Sequence, residues 1–255
     1  VEFKVGNTRY EYEIDLYSGS VLANSTEQYG RQQSTQAPTQ PAAQESAQEG
    51  QQPTTQAASG EYIGWVDSDD WIEPNTFSDL AEVIESDQYD IISFNREFVK
   101  SEDDIIKSDS KQSKRLTGKE ALVEMFSYGF ITGFANDKIY RKALFTKNNI
   151  QFPVGKYYED LGTNYKLFLA AKKIYATNQK YYHYLIDNPD AITKSWNEQK
   201  FENMIGFYKE IYYSDAVRSK LNSCELEIAK MFFVDGMTHS LASLYKSNLY
   251  KLLFL

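Results

Sequence analysis

An α/β domain with a helical tail, preceded by a β-hairpin, is the fold class that this sequence predicts. Three observations predict it. From Glu61 to Trp196 short apolar runs alternate with amphipathic helical stretches, the signature of strands interleaved with helices. From Glu198 onward the apolar period is helical throughout. The first residues alternate apolar and acidic side chains around turn residues, the period of half-buried strands.

The hairpin comes first, over residues 1–22. Glu2-Phe3-Lys4-Val5 leads into Gly6-Asn7, residue types that suit the positive-φ positions of a two-residue hairpin turn. Beyond it Tyr10, Tyr12, Ile14 and Leu16 alternate with Glu11, Glu13 and Asp15, giving one apolar and one acidic face. Tyr17-Ser18-Gly19 forms a second turn before Ser20-Val21-Leu22. A lone hairpin is marginal in water and has to pack on something. The stretch YEYEIDLYSGSVL resembles the last strands of a PepSY domain, without the helix that covers that sheet. Any amphipathic hairpin would show the same alternation.

Residues 23–60 read as a disordered linker. The run QQSTQAPTQPAAQESAQEGQQPTTQAAS holds almost nothing able to fill a core. Ordering it costs backbone entropy with no burial to offset the cost.

The α/β elements then follow in order. Tyr62-Ile63-Gly64-Trp65-Val66 is a short apolar run fit for a strand buried on both faces. Asn75 to Glu85 reads as a helix with Phe77, Leu80, Ala81 and Ile84 on one face, and Tyr89 to Val99 as a second strand. Thr117 is an N-cap for Gly118 to Tyr128, with Glu120 completing a capping box. Asp137 to Tyr140 is a strand, Asp160 to Lys172 an amphipathic helix, and the Tyr-rich segment Ile174 to Ile186 is extended. In the tail, residues 197–255, Phe201, Met204, Ile205, Tyr208 and Ile211 form one stripe. Such a stripe serves either as core or as a membrane-surface face.

Composition narrows the function classes. Of 255 residues 36 are Asp or Glu and 27 Lys or Arg, a net charge of −9. That balance argues against a nucleic-acid surface, which needs clustered cations. A single cysteine, Cys224, allows no intrachain disulfide. Only His183 and His239 are present, so a His/Cys zinc site is not expected. His183, inside a Tyr-Tyr-His-Tyr strand, reads as a packed residue. No run of about 18 apolar residues marks a membrane span, and no signal peptide is visible at Val1.

The most informative string is Tyr62-Ile63-Gly64-Trp65-Val66-Asp67-Ser68-Asp69-Asp70-Trp71-Ile72, a strand running into three carboxylates within four residues. Ligands of open α/β sheets sit outside the carboxyl ends of strands. Carboxylates this close repel unless a cation compensates, and hard oxygens suit Mg²⁺ or Mn²⁺. The plain alternative is an acidic helix-entry turn with Asp69 or Asp70 as the N-cap. Spacing alone does not choose between the two.

Here the string GEYIGWVDSDDWIEP resembles the Asp-x-Asp segment of family 2 glycosyltransferases, whose catalytic domains have the GT-A fold. Three later segments are similar to that family in the same order. These are Asp137-Lys138-Ile139-Tyr140-Arg141-Lys142-Ala143-Leu144-Phe145, then Gly155-Lys156-Tyr157-Tyr158-Glu159-Asp160-Leu161. Last comes Tyr182-His183-Tyr184 running through Ala191-Ile192-Thr193. The resemblance implies that Asp69 is the direct ligand of Mn²⁺ or Mg²⁺ and that Asp67 meets the sugar-nucleotide and shares the metal. It implies that Asp160 is the general base of an inverting transfer from a nucleotide-sugar, a UDP-sugar first among donors, to a hydroxyl of a glycan or lipid-linked acceptor. Polysaccharide biosynthesis, in the cytoplasm or at the inner face of its membrane, is the setting this implies. The PepSY-like front end points instead outside the cytoplasm.

The family domain ordinarily begins with a half that holds the nucleotide base. In this sequence the linker runs directly into Gly60-Glu61-Tyr62, so a partial GT-A domain without that half is expected. Strand 62–66 then lacks a neighbour, leaving a sheet edge open to association. Three functions follow from the sequence: a glycosyltransferase half inactive alone, a non-enzymatic binding module, or a PepSY-type extracytoplasmic protein carrying the rest as passenger.

Overall fold

The computed structural model describes residues 2–5, 8–14, 21–28, 60–101, 104, 111–187 and 196–247. Most of the expected linker and the Ala191-Ile192-Thr193 segment lie outside the described residues.

The front end is a three-stranded antiparallel sheet. β1 (Glu2–Val5) pairs with β2 (Thr8–Ile14), and β2 with β3 (Val21–Gln28). The hairpin is as expected, but a third strand runs to Gln28, past the expected linker boundary at Ala23. Its residues Val21 to Gln28 find ladder partners along the whole of β2, which supplies the hydrogen bonding that local composition did not reveal.

The remainder is three layers around a curled mixed sheet. Its strands are β4 (Tyr62–Gly64), β5 (Trp71–Ile72), β6 (Ile91–Val99), β7 (Ser113–Leu116), β8 (Lys138–Arg141) and β9 (Ile174–Leu185). Their order is β4-β8-β6-β9-β5, with β7 also on β9. β6 and β9 run parallel, and every other pair is antiparallel. Alternation along β6 explains the layering, because successive side chains point to opposite faces. Ile91 joins a core with Leu122, Phe126, Phe168 and Phe232, whereas Ile92 joins Leu80, Tyr89 and Ile139 on the other side.

Helix α1 (Thr76–Ser86) covers the second face with Leu80. α2 (Gly118–Phe126), α3 (Lys142–Asn148), α4 (Glu159–Ala170), α5 (Glu198–Tyr213) and α7 (Ser223–Lys246), with the short α6 (Asp215–Arg218), cover the first. The expected capping box is present: the Glu120 amide donates to Thr117 Oγ1, and the Thr117 amide to Glu120 Oε2 at 2.7 Å. Helices approach closely where they meet at glycine. A Cβ on Gly118 would lie 1.9 Å from the Phe168 carbonyl oxygen, and one on Gly162 would lie 2.3 Å from the Phe207 ring. In α5 the buried seam is Asn203, Phe207 and Ile211, with Phe201, Met204, Ile205 and Tyr208 only half-buried. The expected stripe is thus rotated by about one residue and packs as core.

Two expectations about the first α/β strand need correction. β4 is half-buried, not buried on both faces. It stands at the end of the sheet, and its only partner among the described residues is β8. The expected strand 62–66 also ends at Gly64. Trp65 leaves the ladder and inserts its ring edge-on among Tyr140, Phe145 and Phe152, with centroids 5.4, 5.7 and 5.1 Å away.

Candidate functional site

Asp67 to Asp70 is a turn, closed by the Asp70 amide on the Asp67 carbonyl at 3.1 Å. It leads into β5, not into a helix, and α1 takes Asn75 as its N-cap residue. The helix-entry reading of these carboxylates is therefore not the structure. What holds the turn is Tyr182 of β9. Its hydroxyl accepts the Asp67 amide at 3.0 Å and donates to Asp70 Oδ2 at 2.7 Å. Asp70 Oδ1 accepts the Leu185 amide at 2.9 Å. Burial, with Asp67 and Asp69 nearby, pushes the Asp70 carboxyl up to about 6 against these hydrogen bonds. Both its oxygens are committed within the protein.

Asp67 reaches solvent, yet the protein around it pushes its carboxyl above the ordinary range, with Asp69 adding to the push. Asn136 Nδ2 donates to Asp67 Oδ2 at 2.9 Å. The other amide atom, Asn136 Oδ1, is buried without a hydrogen-bond partner.

Asp160 lies in the first turn of α4. The chain enters that helix through Tyr158 at φ 60°, a left-handed conformation that bulky residues rarely take and that collects at functional positions. Burial raises the Asp160 carboxyl to about 7, with Glu159 adding repulsion; the Leu161 amide, Arg96 and Lys138 pull the other way. The amide bond, from Leu161 to Asp160 Oδ1, is 2.8 Å. Glu159 is raised too, by burial and then by the charge of Asp67, which places the α4 start and the acidic turn in one electrostatic site.

Beneath them lies a buried ion cluster. Asp137 Oδ2 accepts Arg96 Nη2 at 2.8 Å and Thr132 Oγ1 at 2.6 Å, and Oδ1 pairs with Lys138 Nζ at 2.5 Å. Lys138 also donates to the Phe134 carbonyl at 2.7 Å. Burial opposes ionisation of Asp137, but the two cations outweigh it and hold its carboxyl low. Asn164 of α4 donates to the Gly133 carbonyl at 2.8 Å and accepts the Tyr140 hydroxyl. The 132–137 segment is thereby fixed to β6, β8 and α4 together.

Residues 55–147 match the family model described as Glycosyl transferase family 2. This segment is similar to family 2 glycosyltransferases. Among curated relatives, the putative glycosyltransferase EpsH of Bacillus subtilis is 26% identical over 159 residues, covering 60% of this chain and 45% of that protein. The poly(ribitol-phosphate) beta-N-acetylglucosaminyltransferase TarS of Staphylococcus aureus is 32% identical over 128 residues, 50% of this chain and 21% of that one. A crystal structure of TarS residues 1–349 in complex with UDP-GlcNAc is alike in fold, with a TM-score of 0.54 and 22% identity, covering 75% of this chain and 53% of that one. The chain spans about half the length of the first curated relatives.

Of the residues named from sequence, Asp67, Asp69 and Asp160 all stand at this site. Sequence reasoning missed Tyr182, Asn136 and Arg96. Arg96 carried a readable signal, the one cation of its strand. Tyr182 stood in the Tyr-rich segment already quoted, with nothing to mark its partner, and Asn136 carried no signal. His183 packs as expected: on the opposite face of β9 from Tyr182, its ring stacks on Trp71 at 5.2 Å and its Nε2 meets Glu73 Oε1 at 2.9 Å.

A hard divalent cation fits Asp67 and Asp69, whose mutual repulsion it would relieve, beside the unpartnered oxygen of Asn136. Among the described residues no three His, Cys, Asp or Glu side chains form a ready ligand group, so most coordination positions would fall to water or to a bound diphosphate. Asp70 has both oxygens engaged by Tyr182 and Leu185.

Proposed function

We propose that this site transfers a sugar from a nucleotide-sugar to an acceptor hydroxyl with inversion, with Asp160 as general base. The observation that carries the reading is Asp160 itself: a half-buried carboxylate at a strained helix start, raised to about 7, next to Glu159, which feels the charge of Asp67. A base serves best when its proton affinity lies near the working pH. In the reaction the Asp160 carboxylate takes the hydroxyl proton as the acceptor oxygen bonds to the anomeric carbon. The bond from that carbon to the diphosphate oxygen breaks on the opposite face, and its electron pair leaves with the nucleoside diphosphate. Asp67 and Asp69 would hold Mn²⁺ or Mg²⁺, which when bound would neutralise charge on the diphosphate. The TarS relative makes UDP-GlcNAc the first donor to test.

Residues 1–255 by themselves are proposed to turn over little. The described residues give candidates for the diphosphate and acceptor ends, and we assign none to the nucleotide base. Positioning contributes roughly 7–11 kcal/mol to such reactions, and an unanchored donor forfeits much of it. The test is nucleoside diphosphate release from UDP- and GDP-sugars, by the chain alone and with the donor-side half of a related enzyme added. Turnover is expected only with the added half, dependent on Mn²⁺, and lowered about 10²–10⁴-fold by Asp160→Asn. Strong turnover by the chain alone, or an unaffected Asp160→Asn variant, would overturn the assignment. A second reading, a non-enzymatic binding module, draws on one observation: Asp70 and Asp67 are both hydrogen-bonded within the protein, as a purely structural turn requires.

A further inference from the structure

We propose that Phe98, Phe134 and Tyr184 form a ledge that receives the sugar ring of a neutral, gluco-configured glycan acceptor. This rests on the transfer reading above and adds the acceptor's chemistry to it. The strand register places the ledge. Arg96 pairs with Tyr182, and Phe98 pairs with Tyr184, so these four side chains share one face of the sheet. Tyr182 ends at the acidic turn; Phe98 and Tyr184 lie two residues further along, about 7 Å on. Phe134 closes the row, its ring centred 3.8 Å from the Arg96 guanidinium.

The rings are held, and yet open. Phe98 and Tyr184 meet edge to face at 5.6 Å, and Arg96 lies 5.8 Å from the Tyr184 ring. Phe98 is 59% exposed and Phe134 49%. Single exposed apolar residues need no explanation, but a contiguous aromatic row beside a reactive carboxylate marks a binding surface. A gluco-configured pyranose has equatorial substituents, so its ring faces are built of axial C–H groups that lie flat against aromatic carbon. Arg96 Nε, in a side chain only 7% exposed, is a buried donor that no described group uses. Charge selects a neutral chain over an anionic one. Asp67, Asp69, Glu159 and Asp160 are linked one to the next by their charges and make the proposed site acidic, while Arg96 and Lys138 are already engaged by Asp137.

The experiment is aromatic ¹H–¹³C NMR of the full chain carrying ¹³C-labelled phenylalanine, titrated separately with chitotriose, ribitol and UDP. Chitotriose is expected to shift the Phe98 and Phe134 signals, and ribitol to leave them in place. Phe98→Ala and Phe134→Ala should each weaken chitotriose binding about three- to tenfold, and Phe98→Trp should retain it. Unmoved rings, alanine variants that bind like wild type, or larger shifts with UDP would each overturn the proposal. Mn²⁺ titration of the same samples keeps the two readings apart. Metal binding lost on Asp69→Ala, with no response to chitotriose, overturns the ledge alone. Ring shifts without metal binding support the ledge and remove the metal from the proposed function.

Discussion

The Tyr182 hydroxyl donates to Asp70 at 2.7 Å and accepts the Asp67 amide at 3.0 Å, so one phenol joins the acidic turn to the Tyr-rich strand. The relationship separates the three neighbouring aspartates by task. Asp70 holds the turn, and Asp67 and Asp69 are the two proposed to meet the metal.

Tyr182→Phe should therefore destabilise the protein by about 1–3 kcal/mol, the cost of leaving partly buried groups without their partner. Urea denaturation checks this. Stability equal to wild type would show that water replaces the hydroxyl and that the turn is held by Leu185 alone.

Metal binding should divide the same residues. In Mn²⁺ calorimetry, Asp69→Ala should abolish binding, whereas Asp70→Asn should retain it because Asp70 is engaged by Tyr182 and Leu185. Binding is expected to be weak, with few protein oxygens on the ion. Loss of binding in both variants would place Asp70 among the ligands instead.

The raised Asp160 carboxyl has a stability consequence of definite sign. Its folded value, about 7, exceeds its ordinary value of 3.8, so between these limits the folded state binds more protons than the unfolded state. Stability contributed by the neutral form is then present at low pH and is lost as pH rises toward 7. Asp160→Asn should be more stable than wild type at pH 8, by up to about 4 kcal/mol, less in proportion to the part of Asp160 that water reaches. At pH 4 the difference should vanish. Denaturation curves at the two pH values decide it, and an advantage confined to low pH would reverse the argument.

The helix contacts at glycine give a graded prediction. Gly118→Ala drives a methyl against the backbone oxygens of Phe168 and Ala171 and should cost about 3 kcal/mol or more. Gly162→Ala meets the Phe207 ring, which can move, and should cost about 1–3 kcal/mol. Adding Phe207→Leu should recover part of the second loss. Equal costs, read from thermal melts, would show that the ring cannot yield.

The sequence by itself determined what depends on near neighbours. The capping box of Thr117 and Glu120 spans three positions, and the Asp67–Asp70 turn spans the same number. The α/β alternation needs only the spacing of apolar residues along one segment, so those elements could be read directly, whereas the candidates Asp67, Asp69 and Asp160 came from the resemblance to family 2 glycosyltransferases. Tertiary structure decided what depends on which strands lie side by side. Asp67 meets Tyr182 across 115 positions and Asn136 across 69, and Arg96 finds Asp137 across 41. No local pattern encodes these partners, because they follow from the β4-β8-β6-β9-β5 order that brings remote strands together. The same cause explains the misread elements. β3 continues to Gln28 because β2 offers it a ladder, and β4 is only half-buried because it ends the sheet. In both, the hydrogen bonding and burial of a strand are properties of its neighbours, and local composition does not contain them.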